Sequence, residues 1–122
     1  MAPGGIFAFD VFNPNVRLLA RPSDERFPVF QKETEAFGEL SVEATSDYDP
    51  ATQVGRGRWY ISAPGNPDAW VLRLDLRNIF PQELPLLLAA GGFRLKSRMG
   101  DLAQTPFNST SSLQVCLCQA TV

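Results

Sequence analysis

The chain has 122 residues, 44% apolar and 20% charged, which fits one soluble globular domain with a moderate core. Its 11 basic and 13 acidic residues leave a net charge of −2, which gives no electrostatic footing for nucleic acid or an anionic membrane. It has no histidine, which removes Ser-His-Asp and Cys-His catalysis, and with only 2 cysteines a zinc site of the usual kind cannot be assembled.

Residues 5–12 form an apolar run with little alternation, the pattern of a central strand covered on both faces. Asn13-Pro14-Asn15 breaks the run. Asn13 can cap a short helix with Pro14 at its first position and Val16, Leu18 and Leu19 as apolar contacts. Arg21-Pro22-Ser23-Asp24 ends that element, and residues 27–34 can add a strand. Leu40, Val42 and Ala44 then alternate with Glu39, Ser41, Glu43 and Thr45, a strand with one wet face. Asp49-Pro50-Ala51-Thr52 turns the chain into a Gly- and Arg-rich strand ending in Trp59, Tyr60 and Ile61. Pro64-Gly65-Asn66-Pro67 turns it again, into the alternating series Trp70, Leu72, Leu74 and Leu76. Strands joined by tight turns predict an antiparallel meander.

Phe80-Pro81-Gln82-Glu83 opens a helix whose face carries Leu84, Leu87 and Leu88 and which Gly91-Gly92 terminates. Pro85 predicts a distorted first turn or a displaced start. Phe93, Leu95, Ser97 and Met99 alternate as a strand, with Arg94, Lys96 and Arg98 on its other side as a solvated face rather than a phosphate track. A polar loop (residues 101–112) leads to a last apolar strand containing Cys116 and Cys118. Two residues apart in a strand, these cysteines point the same way, which suits core packing and not a disulfide. No charged N-terminal region precedes a long apolar run, so neither a signal peptide nor a membrane span is expected. The expected compartment is the cytoplasm, and the sequon at Asn108 is read as chance.

Two segments carry a family likeness. "APGGIFAFDVFNP" resembles the entry into the fifth sheet strand of class I S-adenosylmethionine-dependent methyltransferases. "LRNIFPQELPLLLAAGGFRLKSRMGDL" resembles the helix, A-G-F turn and sixth strand of that family, and "SSLQVCLCQA" is similar to its seventh strand. Between them, "SDYDPATQVGRGRWYIS" resembles the β insertion that covers the acceptor in small-molecule members.

The resemblance implies an α/β chain (α+β as an isolated fragment), with a partial Rossmann-like methyltransferase sheet, an antiparallel β-meander insertion and one main helix. It implies a single domain over 1–122, with a central strand and short helix in 1–22, a β insertion or lid in 27–77, and a helix with two closing strands in 79–122. The cofactor would be S-adenosylmethionine with no metal, and the partner a small-molecule acceptor. The family's glycine-rich turn after its first strand has no counterpart here: Gly4 and Gly5 precede a strand, and Gly55 and Gly57 lie within one. The chain therefore resembles the C-terminal, acceptor-side half of the family, and alone is expected to be inactive. The other reading is a stand-alone dimeric interaction or ligand-binding domain derived from the same fold. In either case the edge of the first strand needs cover, from a missing N-terminal half or from a second copy.

Methyl transfer from a sulfonium needs alignment and exclusion of water, with a base where the acceptor must lose a proton. Asp10, Phe12 and Asn13 end the first strand, where ligands gather in open α/β sheets. Asp10 can position or deprotonate an acceptor, or bond nearby amides; Asn13 can be a ligand or a cap. Tyr48 and Asp49 can line a lid or form an ordinary turn, and Trp59, Tyr60 and Trp70 can wall an acceptor or pack the meander. Arg77, which matches the family's arginine before the helix, can bind an acidic acceptor group or pair with Glu83. Asp10 is thus the catalytic candidate, and Phe12, Asn13, Tyr48, Tyr60 and Arg77 are the acceptor-binding candidates.

Overall fold

The computed structural model describes residues 2–121. In chain order its elements are β1 (Ile6–Phe12), α1 (Val16–Leu19), β2 (Phe27–Thr34), β3 (Gly38–Asp49), β4 (Val54–Ala63), β5 (Asn66–Arg77), α2 (Leu84–Ala90), β6 (Phe93–Met99) and β7 (Leu113–Ala120). They divide into two compact units: Val16–Asn78 forms one, and the segments on either side of it form the other.

The expected Rossmann-like α/β architecture with one main helix is overturned. Strands take up 54% of the described residues and helices 9%. The sheets run β1-β7-β6 and β2-β3-β4-β5, and every pairing in both is antiparallel. A parallel pair needs a crossover of about a dozen residues or more, usually helical. The helices here have 4 and 7 residues and supply no such crossover.

The second correction concerns β1. Its unbroken apolar run predicted cover on both faces, which it lacks. Among the described residues it pairs only with β7 and lies at a sheet edge, the edge expected to need cover. Ile6 is 57% exposed, and Phe7 and Phe12 are also exposed. The central strand is β7, whose alternate residues Gln114, Cys116, Cys118 and Ala120 are all buried.

Over that face lies α2, and Leu84, Leu88, Cys116 and Cys118 form the core with Phe9, Ile79, Phe93 and Leu95 packed around them. Phe7 stacks on Phe9 with ring centroids 5.1 Å apart and meets Phe93 at 5.6 Å. Pro85 is accommodated by a displaced start: α2 begins at Leu84, so the proline falls in the first turn, where its missing N–H costs no helical bond. Just ahead, Phe80 N–H donates to Glu83 Oε1 at 2.8 Å. At the other end Gly92 takes φ of +84°, a left-handed closing residue that a side chain would strain.

The basic trio on β6 is not one solvated face. The β6–β7 register shifts between Leu95 and Ser97, so Arg94 lies opposite Gln119 while Arg98 lies opposite Cys116. A bulge adds one residue to one strand, and everything beyond it changes face. Arg98 is thereby turned towards the core side.

In the Val16–Asn78 unit, β2 to β5 form a four-stranded meander in sequential order. One face carries Val42, Ala44, Ser46 and Tyr48 of β3, Gly55, Gly57, Trp59 and Ile61 of β4, and Trp70, Leu72, Leu74 and Leu76 of β5. The opposite face carries Glu43, Thr45 and Asp47, then Tyr60, Arg58 and Arg56, then Val71, Arg73, Asp75 and Arg77. The β3–β4 turn is held by Asp49, whose carboxylate accepts from Ala51 N–H at 2.9 Å and the Thr52 hydroxyl at 3.0 Å. These bonds, the Ala51 amide first, hold the Asp49 carboxyl below its ordinary range.

Leu84 is 3% exposed at the centre of the helix–sheet core, so Leu84→Ala should lower unfolding free energy by about 2–5 kcal/mol. Leu86 points to solvent, and Leu86→Ala should stay within about 0.5 kcal/mol of wild type. Chemical denaturation followed by circular dichroism measures both, and equal losses would contradict this placement of α2.

Candidate functional site

Each unit holds three of the sequence-derived site residues. Asp10 lies opposite Val115 and Phe12 opposite Leu113, on the face of β1 away from the Cys116 and Cys118 core. Their neighbours on that face include Ala8, Leu117 and Met99, so Asp10 is an exposed carboxylate within an apolar surface. Asn13 does not cap α1, which starts three residues later. Its N–H donates to Ser112 C=O and its side-chain Nδ2 to Ser111 C=O, both at 2.8 Å, tying the end of β1 to the polar loop. That loop encloses a polar concavity of about 240 Å³ whose lining includes Asp101, Thr105, Asn108 and Ser111. The Asp101 carboxyl is held below its ordinary range, chiefly by the Thr105 hydroxyl and amide.

In the meander the three candidates do not meet. Tyr48 and Tyr60 point to opposite faces, because Tyr48 is opposite Gly55 while Tyr60 is opposite Glu43. Arg77 shares the face of Tyr60, but Tyr60 pairs with Val71, six residues back along β5 and so about 20 Å away. Arg77 donates to Gln53 Oε1 at 3.2 Å.

Arg26 occupies the ring of Tyr60, its guanidinium 3.7 Å from the ring centroid. Two parallel 2.9 Å bonds join that guanidinium to the Asp68 carboxylate. The Arg26 hydrogen bond holds Asp68 below its usual range, and the same bond raises Arg26. Tyr60 is therefore part of a cation–π and ion-pair cluster, and its hydroxyl lies 3.4 Å from that of Thr45.

The sequence reading passed over the most constrained polar group of the other unit. Gln114 is fully buried. Its Nε2 donates to Ile79 C=O at 2.9 Å and to Phe12 C=O at 3.5 Å, and its Oε1 accepts from Arg98 at 3.2 Å. Arg98 also donates to Pro81 C=O at 2.7 Å, and its guanidinium lies 4.8 Å from the Phe107 ring centroid. A signal was present: Gln114 is the polar member of the inward series Gln114, Cys116, Cys118, Ala120. A buried amide requires partners. The network braces the end of β1, where Asp10, Phe12 and Asn13 lie.

Solved methyltransferase structures share the fold. The CcbJ methyltransferase from Streptomyces caelestis superposes with a TM-score of 0.76 at 22% identity, over 100% of this chain and 46% of that one. An S-adenosylmethionine-dependent methyltransferase from Clostridium acetobutylicum ATCC 824 gives 0.65 at 11% identity, over 99% and 46%. The chain thus spans just under half the length of each. No family model and no curated protein sequence matches.

The residues present do not fit S-adenosylmethionine. Gly4, at φ +80°, leads into an antiparallel edge strand, not into the strand–turn–helix that cradles such a group. Gly55 and Gly57 make room for the chain itself: a Cβ on Gly55 would lie 3.1 Å from Asn78 Nδ2, and one on Gly57 3.2 Å from Leu74 C=O. Among the described residues no cluster of histidine, cysteine, aspartate or glutamate is arranged to hold a metal ion, and no helix is long and apolar enough to cross a membrane.

Two outcomes test this site. Gln114→Leu keeps the volume but strands the Ile79 carbonyl and one Arg98 donor, and should cost about 2 kcal/mol in urea denaturation. No loss on that substitution would show the network to be idle. Burial raises the Cys116 thiol to about 11, with the neighbouring Cys118 adding to the shift, and burial raises Cys118 as well. At pH 8 iodoacetamide should therefore leave both cysteines unlabelled in the native chain and alkylate both in guanidinium, as read by mass spectrometry. In its fold, this chain matches one half of a methyltransferase.

Proposed function

We propose that this chain is the C-terminal, acceptor-side portion of an S-adenosylmethionine-dependent methyltransferase acting on a small molecule. The observation that carries the reading is the likeness of the whole chain to just under half of the CcbJ methyltransferase. The motifs in "APGGIFAFDVFNP" and "LRNIFPQELPLLLAAGGF" support it independently of the superposition. On this reading a further portion of the enzyme, in the same polypeptide or a separate one, binds the cofactor. The free edge of β1 is where that portion joins: a strand added there would also bring cover to Ile6 and Phe12.

Within this reading, Asp10 and Asn13 stand at the acceptor side of the joined sheet, with Phe12 between them. Tyr48, Tyr60 and Arg77 are assigned to the β lid. Because Tyr48 and Tyr60 face opposite ways, an acceptor under one face of the lid meets only one of them. Two unpaired cysteines accord with a reducing, cytoplasmic setting.

Calorimetric titration of the purified chain with S-adenosylmethionine should give no binding heat. Extending the open reading frame upstream of Met1 should reveal a strand followed by a G-x-G-x-G turn, in frame or on a neighbouring gene. The extended or co-expressed protein should bind the cofactor in the micromolar range. Binding by the short chain alone would overturn the split of roles. An in-frame stop with no such partner would favour the other reading, a stand-alone interaction domain.

A further inference from the structure

The outer edge of β5 is the most open apolar element of the meander. No described residue pairs with it, and every residue from Asn66 to Arg77 except Ala69 is exposed. Leu74 is 62% exposed and Leu72 54%. Sheet edges are ordinarily blunted by proline, lysine or a bulge. The opposite edge, β2, carries Pro28, Lys32 and a register shift between Pro28 and Phe30. The β6 edge is broken between Leu95 and Ser97. By contrast β5 has a proline only near its start, at Pro67. From Trp70 to Arg77 it runs in unbroken register, and its charges, Arg73, Asp75 and Arg77, alternate in sign rather than repel as one.

We propose that β5 is a self-association edge, and that a second copy of this chain pairs with it antiparallel about a two-fold axis at Leu74. The charges select that register. With the axis at Leu74, Arg73 of each copy lies opposite Asp75 of the other, on the polar face, and Leu72 lies opposite Leu76 on the apolar face. Moving the axis to residue 73 sets Arg73 against Arg73, and moving it to residue 75 sets Asp75 against Asp75. Opposite charges directly across a strand pair stabilise it, and like charges destabilise it. Pairing about Leu74 also keeps the apolar faces of both meanders on one side of the joined sheet.

The monomer leaves these charges ready for that arrangement. Within its own sheet Arg73 lies opposite Arg58, a like charge, and makes no ion pair among the described residues. Asp75 receives Arg58 on Oδ1 at 2.9 Å, which leaves Oδ2 for a second guanidinium. The β1 edge offers no such match, because pairing it with itself about Phe9 sets Asp10 against Ala8, and pairing about Asp10 sets Asp10 against Asp10. The proposal does not rest on the methyltransferase reading, since it concerns a different edge in the other unit.

Sedimentation equilibrium and charge reversal test it together. The wild-type chain should double its mass at high concentration. Arg73→Asp, which also relieves the repulsion from Arg58, should remain folded by circular dichroism and weaken dimerisation at least about tenfold. The double reversal Arg73→Asp/Asp75→Arg should restore it, because the pairs are then exchanged rather than lost. Leu74→Cys should cross-link to itself on mild oxidation, being the residue at the axis, while Leu72→Cys should not. A wild-type monomer at millimolar concentration, a double reversal that stays monomeric, or cross-linking through residue 72 in place of 74 would each overturn the proposal. Failure here leaves the cofactor titration of the longer chain untouched.

Discussion

A single buried carboxamide organises the unit that carries the first strand. Gln114 lies near the start of β7, the middle strand of the β1-β7-β6 sheet, with both ends of its amide engaged. An amide in an apolar interior costs several times more unpaired than it returns when paired. The closed sheet therefore depends on its partners being present. Those partners come from three separate segments: Phe12 at the end of β1, Ile79 ahead of α2, and Arg98 on β6. Arg98 reaches Gln114 only because the bulge after Leu95 has turned it inward, and from there it also holds Pro81. Residues 79–81 are thus fixed immediately before α2, which sets where Leu84 and Leu88 meet Cys116 and Cys118. Bulge, arginine, glutamine and helix position form one chain of dependence.

The polar face of the meander is organised by charge instead. Arg26 lies across Tyr60 and is clamped by Asp68, and Arg58 reaches Asp75. These groups are solvated, so their worth lies in fixing side-chain positions more than in stability. The apolar face is held by cross-strand aromatic pairs: Phe30 meets Trp59 at 5.7 Å and Phe37 meets Trp70 at 5.1 Å, both edge-on. That packing leaves Leu72 and Leu74 outside it.

Much of this was legible in the residues. The alternation of Leu40, Val42 and Ala44, and of Trp70 to Leu76, marks β3 and β5, and Pro64-Gly65 marks the turn before β5. Pro85 correctly signalled a displaced helix start. What failed was inference from apolarity to cover. An apolar run states that a surface loses free energy in water, but not that its own chain supplies the lid. The apolar run of residues 5–12 stood for cover on both faces, which β1 lacks, while the need of its edge for outside cover was legible. The α/β expectation came with the family resemblance. The inward turn of Arg98 was hidden for another reason: one bulged residue shifts every side chain beyond it by half a period, and no strong local signal marks it. On the meander, Tyr48 and Tyr60 are both even-numbered, and their opposite faces emerge only from the β3–β4 register.

The same distinction between needing cover and having it sorts the exposed surface. Ile6 and Phe12 lie on a strand whose charged residue, Asp10, finds no complement in a copy of itself. Leu72 and Leu74 lie on a strand whose charges, Arg73 and Asp75, complement each other under a two-fold. Both strands are apolar edges, so hydrophobicity alone cannot tell their partners apart. The charges can, because like charges in direct opposition penalise a wrong register while leucine tolerates many. On the two proposals made for them, β1 takes a different strand and β5 its own.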